Sequence, residues 1–302
     1  MGVALGLGAA LCWGLADYFA AIASRSIGAL RVVLGFHLVA LVPLGGLVLA
    51  TDGLAHVDAT QVWVLAGVGA VGWLSYLAFY GALAIGPISV LSPIVSGYAA
   101  VTAVLAVLFG GSRLSALQAA SVAITIAGAM FASADVRELM RTRIRRHSTL
   151  GLVLALCAMA LLGGFVFGVS YYRSQIGWLA PIFLARGFAA VFLFGHVLVD
   201  GGPPPDSPGS AEPGPDEDTP RRRRVKLAAI IALLAALDTG GYVSFNLGVG
   251  HAATAVVAAA SAPYALIPIA MGVVILGERP TRPQWIGVAL VVAGVITLGA
   301  VT

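Results

Sequence analysis

Residues 252–302 read AATAVVAAASAPYALIPIAMGVVILGERPTRPQWIGVALVVAGVITLGAVT. Two apolar runs, Ala252–Leu276 and Pro283 onward, flank the charged turn Gly277-Glu278-Arg279-Pro280-Thr281-Arg282. Each run can cross a bilayer, because about 20 apolar residues rising about 1.5 Å each cover a hydrocarbon core of roughly 30 Å. Thr281-Arg282-Pro283-Gln284 has the form of a capping box with proline in the first turn, which starts a helix cleanly at an interface. The same device stands at Ser115-Ala116-Leu117-Gln118, after Gly110-Gly111-Ser112-Arg113. One unit is used twice.

The duplication extends along the chain. An offset of 166 residues pairs Tyr76 with Tyr242, Tyr98 with Tyr264, Gly111 with Gly277, Gln118 with Gln284 and Gly128 with Gly294. Nearer the start of each half the offset is 149, which pairs Gly2 with Gly151, Gly14 with Gly163, Gly28 with Gly177 and Leu30 with Leu179. Apolar run length predicts ten spans, at about Gly2–Ala23, Val32–Ala50, Val62–Ile85, Ile88–Phe109, Ala116–Ala134, Leu150–Tyr172, Leu179–Val199, Leu227–Gly248, Ala252–Leu276 and Pro283–Ala300. The expected organisation is a first five-helix repeat at 1–134, a basic loop at 135–149 and a second repeat at 150–302. Within the second repeat, the Pro/Gly/acidic tract 201–224 has too little apolar content to pack and is expected to be a disordered linker. Five spans per half is an odd number, so the second copy enters the membrane facing the other way. The predicted fold is an all-α polytopic membrane protein, ten transmembrane helices in two inverted repeats, with any binding site near the midplane between them.

Composition agrees. The 302 residues are 60% hydrophobic and only 10% charged, where a soluble domain has about 45–50% and about 25%. The 38 glycines suit helices packed closely in lipid. The net charge of +4 does not imply nucleic acid. Fourteen of the 17 Lys and Arg fall in loops on one side: Arg25 and Arg31, the loop after helix five, Arg221–Arg224 with Lys226, and Arg279 with Arg282. Arg113 and Arg173 fall on the other side, and Arg186 lies within a span. The positive-inside rule then puts the basic loops in the cytoplasm and both termini outside. Cys12 and Cys157 lack metal or redox spacing and read as small packing residues. The first apolar run has no basic n-region or small-residue cleavage site and is expected to remain as a helix.

Trp13-Gly14 in the first helix, the turn Gly277-Glu278-Arg279-Pro280-Thr281, and Gln284-Trp285-Ile286-Gly287 with the run to Gly294 together resemble the drug/metabolite transporter superfamily. The likeness is to ten-helix members built from two EamA repeats, and it covers the chain apart from the two long loops. It implies transport of small molecules such as amino acids, drugs or sugars. Two features depart from the pattern. Ser112 stands where the first repeat often has an acid like Glu278, and the charge bias opposes the termini-inside arrangement associated with the family. The first helix is also similar to the small multidrug-resistance branch, where a membrane-embedded acid is followed eight residues on by a base, as Asp17 is by Arg25.

Ionisable residues inside spans cost about 2.5–3.5 kcal/mol each on translocon scales, so each needs a reason. They are Asp17, His37, Arg186, His196 and Asp238. Asp17 and His37 lie equally far from the first hairpin turn and are predicted at similar depth. Such a pair either exchanges protons near neutral pH or simply holds the hairpin together. Arg186 matches His37 under the 149 offset. An Arg186–Asp238 pair is geometrically possible, either as a site for a substrate's charged groups or as a fold-fixing ion pair. Thr239-Gly240-Gly241 is expected to weaken helix eight and bare its backbone. Trp13, Trp73, Tyr76, Tyr98, Tyr242 and Tyr264 are candidates for an aromatic cavity wall, and Pro93, Pro263 and Pro268 for helix bends. Asn246 and His251, near a helix end, are expected to be solvated, and Glu278 and Arg279 to form an interfacial turn. His196 suggests no partner.

No nucleophile elbow, phosphate loop, His-Glu-x-x-His or paired catalytic carboxylates occur in the sequence, so an enzyme is not expected. The leading expectation is a secondary active transporter in the cell membrane, exporting a metabolite or drug by alternating access, with proton coupling through Asp17. The alternatives are an uncoupled exchanger or facilitator of an anion bound by Arg186, or a non-transporting accessory or lipid-handling protein. The partners implied are the lipid bilayer, a small-molecule substrate and H+.

Overall fold

The computed structural model describes residues 1–85, 94–133, 147–200, 220–267 and 282–301. Those residues form helices α1 (Gly2–Ile27), α2 (Ala29–Ala50), α3 (Ala59–Ile85), α4 (Tyr98–Leu108) and α5 (Ala116–Ser133), then α6 (His147–Tyr171), α7 (Leu179–Asp200), α8 (Pro220–Val249), α9 (Thr254–Ser261) and α10 (Arg282–Val301). Six of the described helices are long and apolar enough to cross a membrane, and Ile94–Leu108, Ala116–Phe131 and Arg282–Leu298 are shorter apolar helices. Large apolar side chains such as Val42, Leu49 and Val199 stand exposed on the outside, a costly surface in water and an ordinary one in lipid.

Local signals explain several boundaries. Ser115 and Gln118 form the predicted capping box: the Gln118 N–H donates to Ser115 Oγ (3.2 Å) and the Ser115 N–H to Gln118 Oε1 (3.0 Å). A second box, unread in the sequence, joins Asp58 and Gln61 at the start of α3. Gly28 and Gly177, paired by the 149 offset, both adopt positive φ, 83° and 76°. A left-handed turn there lets each half reverse at the same point, which glycine alone does without strain. Gly97 interrupts the helix before Tyr98, and Pro263 sits in a 3-10 turn (Ala262–Ala265) before Tyr264, so both halves break at equivalent places. Pro93, Pro268, Glu278, Arg279 and the box at Thr281 lie outside the described residues.

Two expected boundaries move. The tract read as linker to residue 224 is helical from Pro220, with proline in the first turn and a run of arginines, good helix formers, behind it. The loop expected to reach residue 149 ends earlier, since α6 begins at His147.

The two halves contact each other reciprocally. A side chain at Gly14 would run into Tyr264 and Ile267, and one at Gly163 into Tyr98 and Val101, their repeat equivalents. Likewise Gly128 lies against Gly287 and Val291, and Gly294 against Ser121 and Thr125. α3 packs on α6 as α8 packs on α1, and α5 packs on its own counterpart α10. The register of α5 against α10 is antiparallel, and Gln118 Nε2 near the start of one donates to the Val301 carbonyl at the end of the other (3.1 Å). Contacts that survive exchange of the halves, made by antiparallel equivalents, define a pseudo-twofold axis with the second repeat turned over. The start of α1 lies beside Gly248 and Ala252 at the α8–α9 turn, where the Arg173 guanidinium packs over Gly250. Both termini therefore share the side of Arg113 and Arg173.

Candidate functional site

α1 and α8 pack antiparallel through small residues. Gly2 faces Gly248, Gly8 faces Ser244, and Gly241 faces the Trp13 indole. Ser244 Oγ donates to the Leu5 carbonyl at 2.7 Å, fixing the register. Continuing that register brings Asp17 level with Asp238. The weakening expected at Thr239-Gly240-Gly241 leaves α8 continuous, and the helix runs on to Val249. In lipid their missing side chains serve close approach, with Cys12 seated beside Gly240 and Trp13 against Gly241. Cys157 is exposed on the outside.

Both carboxylates open into one cavity of about 820 Å³, counting its open mouth. Its aromatic wall includes five of the six predicted residues: Trp13, Tyr76, Tyr98, Tyr242 and Tyr264. Tyr98 and Tyr264 are repeat equivalents whose rings touch, with centroids 5.5 Å apart, so the cavity straddles the pseudo-twofold axis. Trp13 continues the wall, edge-on to Tyr242 at 5.1 Å and to Tyr98 at 6.3 Å. Its Nε1 is buried and has no hydrogen-bond partner among the described residues. The sixth candidate, Trp73, packs instead on Phe192 and His196 between α3 and α7. Phe36, Ser75 and Phe79 also line the cavity and were not singled out in the sequence. Phe36 adjoins His37, and Ser75 falls one residue before the repeat-paired Tyr76, but neither neighbour predicts which way the helix faces.

Arg186 and Asp238 form the ion pair that spacing allowed, with Nη1 donating to Oδ2 at 2.5 Å. The arginine is 1% exposed and the aspartate 13%. The guanidinium lies 5.9 Å from the Phe36 ring centroid and 5.5 Å from that of Tyr242, so two aromatic faces offset part of its lost hydration. Nε and Nη2 of Arg186 have no hydrogen-bond partner among the described residues.

His37 occupies the equivalent place in the first half and meets Tyr76 edge-on at 5.4 Å, as Arg186 meets Tyr242. It is buried, and its Nδ1–H donates to the Val33 carbonyl at 2.9 Å. No hydrogen bond or ion pair joins it to Asp17 among the described residues. Hairpin symmetry predicts depth and leaves rotation about each helix axis open: Asp17 faces the cavity, while His37 turns into the α2 packing. Asp17 makes no hydrogen bond or ion pair among the described residues, so the pair Arg186–Asp238 leaves one carboxylate over. Asn246 is fully buried and its Nδ2 donates to the Tyr242 carbonyl, whereas the sequence suggested a solvated helix end; α8 continues past it to Val249.

A sequence profile described as the EamA-like transporter family matches residues 1–134 and 149–300. No curated protein sequence matches the chain. Among 29 matching chains of solved structure, one crystal structure superposes with a TM-score of 0.72 at 14% identity, covering 99% of this chain and 96% of its own. At that identity the likeness shows the fold alone.

Proposed function

The chain belongs to the EamA-like transporter family, membrane transporters of the drug/metabolite transporter superfamily, and on that premise we propose that it is a secondary active transporter working by alternating access. The observation that carries the reading is the cavity on the pseudo-twofold axis, with Asp17 and Asp238 on its wall. A site on that axis is shared by both repeats, so rocking one half against the other exposes it to either side without moving the ligand. Gly14, Gly128, Gly163 and Gly294, each packed closely on the opposite half, give the halves smooth surfaces to turn on. The substrate is a metabolite or drug, and the direction is export.

Asp17 is the coupling residue in this reading. Among the described residues it is the acid left unpaired beside the Arg186–Asp238 pair, which gives a proton or a substrate charge a carboxylate to occupy. In proteoliposomes, Asp17→Asn is expected to abolish flux driven by a pH gradient while the protein stays folded; unchanged flux rules out coupling through Asp17. A second reading, an anion exchanger acting through Arg186, is favoured by the two guanidinium nitrogens, Nε and Nη2, that have no hydrogen-bond partner among the described residues. It predicts counterflow of an organic anion with no pH gradient. The membrane is the cell membrane, with the basic loops cytoplasmic and both termini outside.

A further inference from the structure

The repeat makes the two ends of the cavity comparable residue by residue, and they differ in burial. Tyr242 and Phe245 on α8 correspond under the 166 offset to Tyr76 and Phe79 on α3. Trp13 on α1 and Val169 on α6 correspond under the 149 offset to Leu162 and Ala20. Trp13, Val169, Tyr242 and Phe245 are all buried, whereas Leu162, Ala20, Tyr76 and Phe79 are half-buried cavity residues. The buried set lies toward the termini, in one core to which both halves contribute, and there the Phe165 ring of α6 meets Tyr242 at 5.8 Å. Toward the basic loops that core divides. Ala23, Val33, Leu193 and Leu234 belong to a cluster of α1, α2, α7 and α8, and Ala82, Val95 and Ala155 to another on α3, α6 and the lead into α4. The cavity runs between these clusters, so it is shut toward the termini and open toward the basic side.

We infer that Tyr76 and Phe79 form a second gate, on the basic side, which shuts when the two repeats exchange arrangements. This deepens the transporter reading and rests on it. Inverted copies of one module can trade the two arrangements, so each contact that closes one end has a counterpart that closes the other. The contact of Tyr242 with Phe165 maps onto Tyr76 with Ala16, and Phe245 and Val169 map onto Phe79 and Ala20. All four counterparts line the cavity. The sequence also sets which gate holds more tightly. α6 offers a phenyl ring and a valine where α1 offers two alanines. Closing the basic side therefore removes less apolar surface from solvent, which leaves the terminal side shut at rest.

The test uses the purified full chain on a background lacking Cys12 and Cys157, with N-ethylmaleimide labelling of a single cysteine. Ala20→Cys should react at least about tenfold faster than its repeat equivalent Val169→Cys. Ala20→Val supplies the bulk that Val169 has, and two more carbons taken out of water favour the closed basic side by about tenfold. Labelling of Val169→Cys, at the other end of the cavity, should rise by that factor. Phe79→Ala removes the gate and should lower the same labelling by at least about tenfold. Locally loosened packing would not slow a reaction at the far end. The inference is overturned by equal labelling of Ala20→Cys and Val169→Cys, or by either variant failing to move the Val169→Cys rate in its stated direction. If Phe79→Ala fails to fold, Ala20→Val decides alone. The pH-gradient flux assay separates the two claims. Flux that Asp17→Asn abolishes, with labelling unmoved by both variants, keeps the transporter and removes the gate. Opposed shifts in labelling with no flux keep the moving gate and remove the transporter reading.

Discussion

Breaking the Arg186–Asp238 pair from either end should cost different amounts. Arg186 is 1% exposed and Asp238 is 13% exposed, and a guanidinium stays charged whatever surrounds it. Removing the acid strands a full positive charge at 1% exposure, where solvent does not reach it. Removing the base strands a carboxylate that lines the cavity, where water can reach it. Loss of one partner of a buried pair costs about 3–5 kcal/mol, so Asp238→Ala belongs near 5 and Arg186→Met near 3 on that scale. The double variant Arg186→Met/Asp238→Ala removes both charges and should cost about 2 kcal/mol, less than either single change, because apolar replacements of buried pairs are often near neutral. The assay is reversible unfolding of the purified protein in mixed dodecylmaltoside and SDS micelles, followed by tryptophan fluorescence. Two results would refute the reasoning: single costs that add to within about 0.5 kcal/mol in the double variant, or Arg186→Met proving more damaging than Asp238→Ala.

Further tests concern packing and orientation. A methyl at Gly294 would lie 2.2 Å from Thr125 Oγ1 and one at Gly128 2.8 Å from Leu290 Cβ, whereas one at Gly46 meets nothing within 4 Å. Gly294→Ala and Gly128→Ala should each lower stability by about 1–3 kcal/mol in the same micelle assay, with Gly46→Ala neutral; three equal results would remove the close crossing of α5 and α10. On a background lacking Cys12 and Cys157, an impermeant maleimide applied outside whole cells should label a cysteine added at either terminus and spare one at Lys226, and the opposite pattern reverses the orientation.

Much of the fold was legible because it follows from lengths and repeats. Run length, the paired capping boxes and the glycine pairs gave the two repeats, and an odd number of spans per half required the inversion. Members of those same pairs are points at which the halves meet: Gly14 on Tyr264 and Gly163 on Tyr98, Gly128 on Val291 and Gly294 on Thr125, Tyr98 against Tyr264. The cavity wall was legible in part. Repeat-paired tyrosines and Trp13 were picked out by their recurrence or place, whereas Phe36 and Ser75 carried no such mark. Trp73 resembled them in type and turned elsewhere.

What the sequence determined by itself was therefore position along the helix axes: the spans, the depth of each charged residue, and the relation between halves. What only the tertiary structure decided was rotation about those axes, which sent Asp17 to the cavity and His37 into packing, joined Arg186 to Asp238, and kept α8 whole through Gly240 and Gly241. The physical reason is the solvent. In water a helix declares its buried face by an apolar stripe, but lipid is as apolar as the protein interior. Around these helices the outward and inward faces read alike, and close contact between small residues selects the orientation.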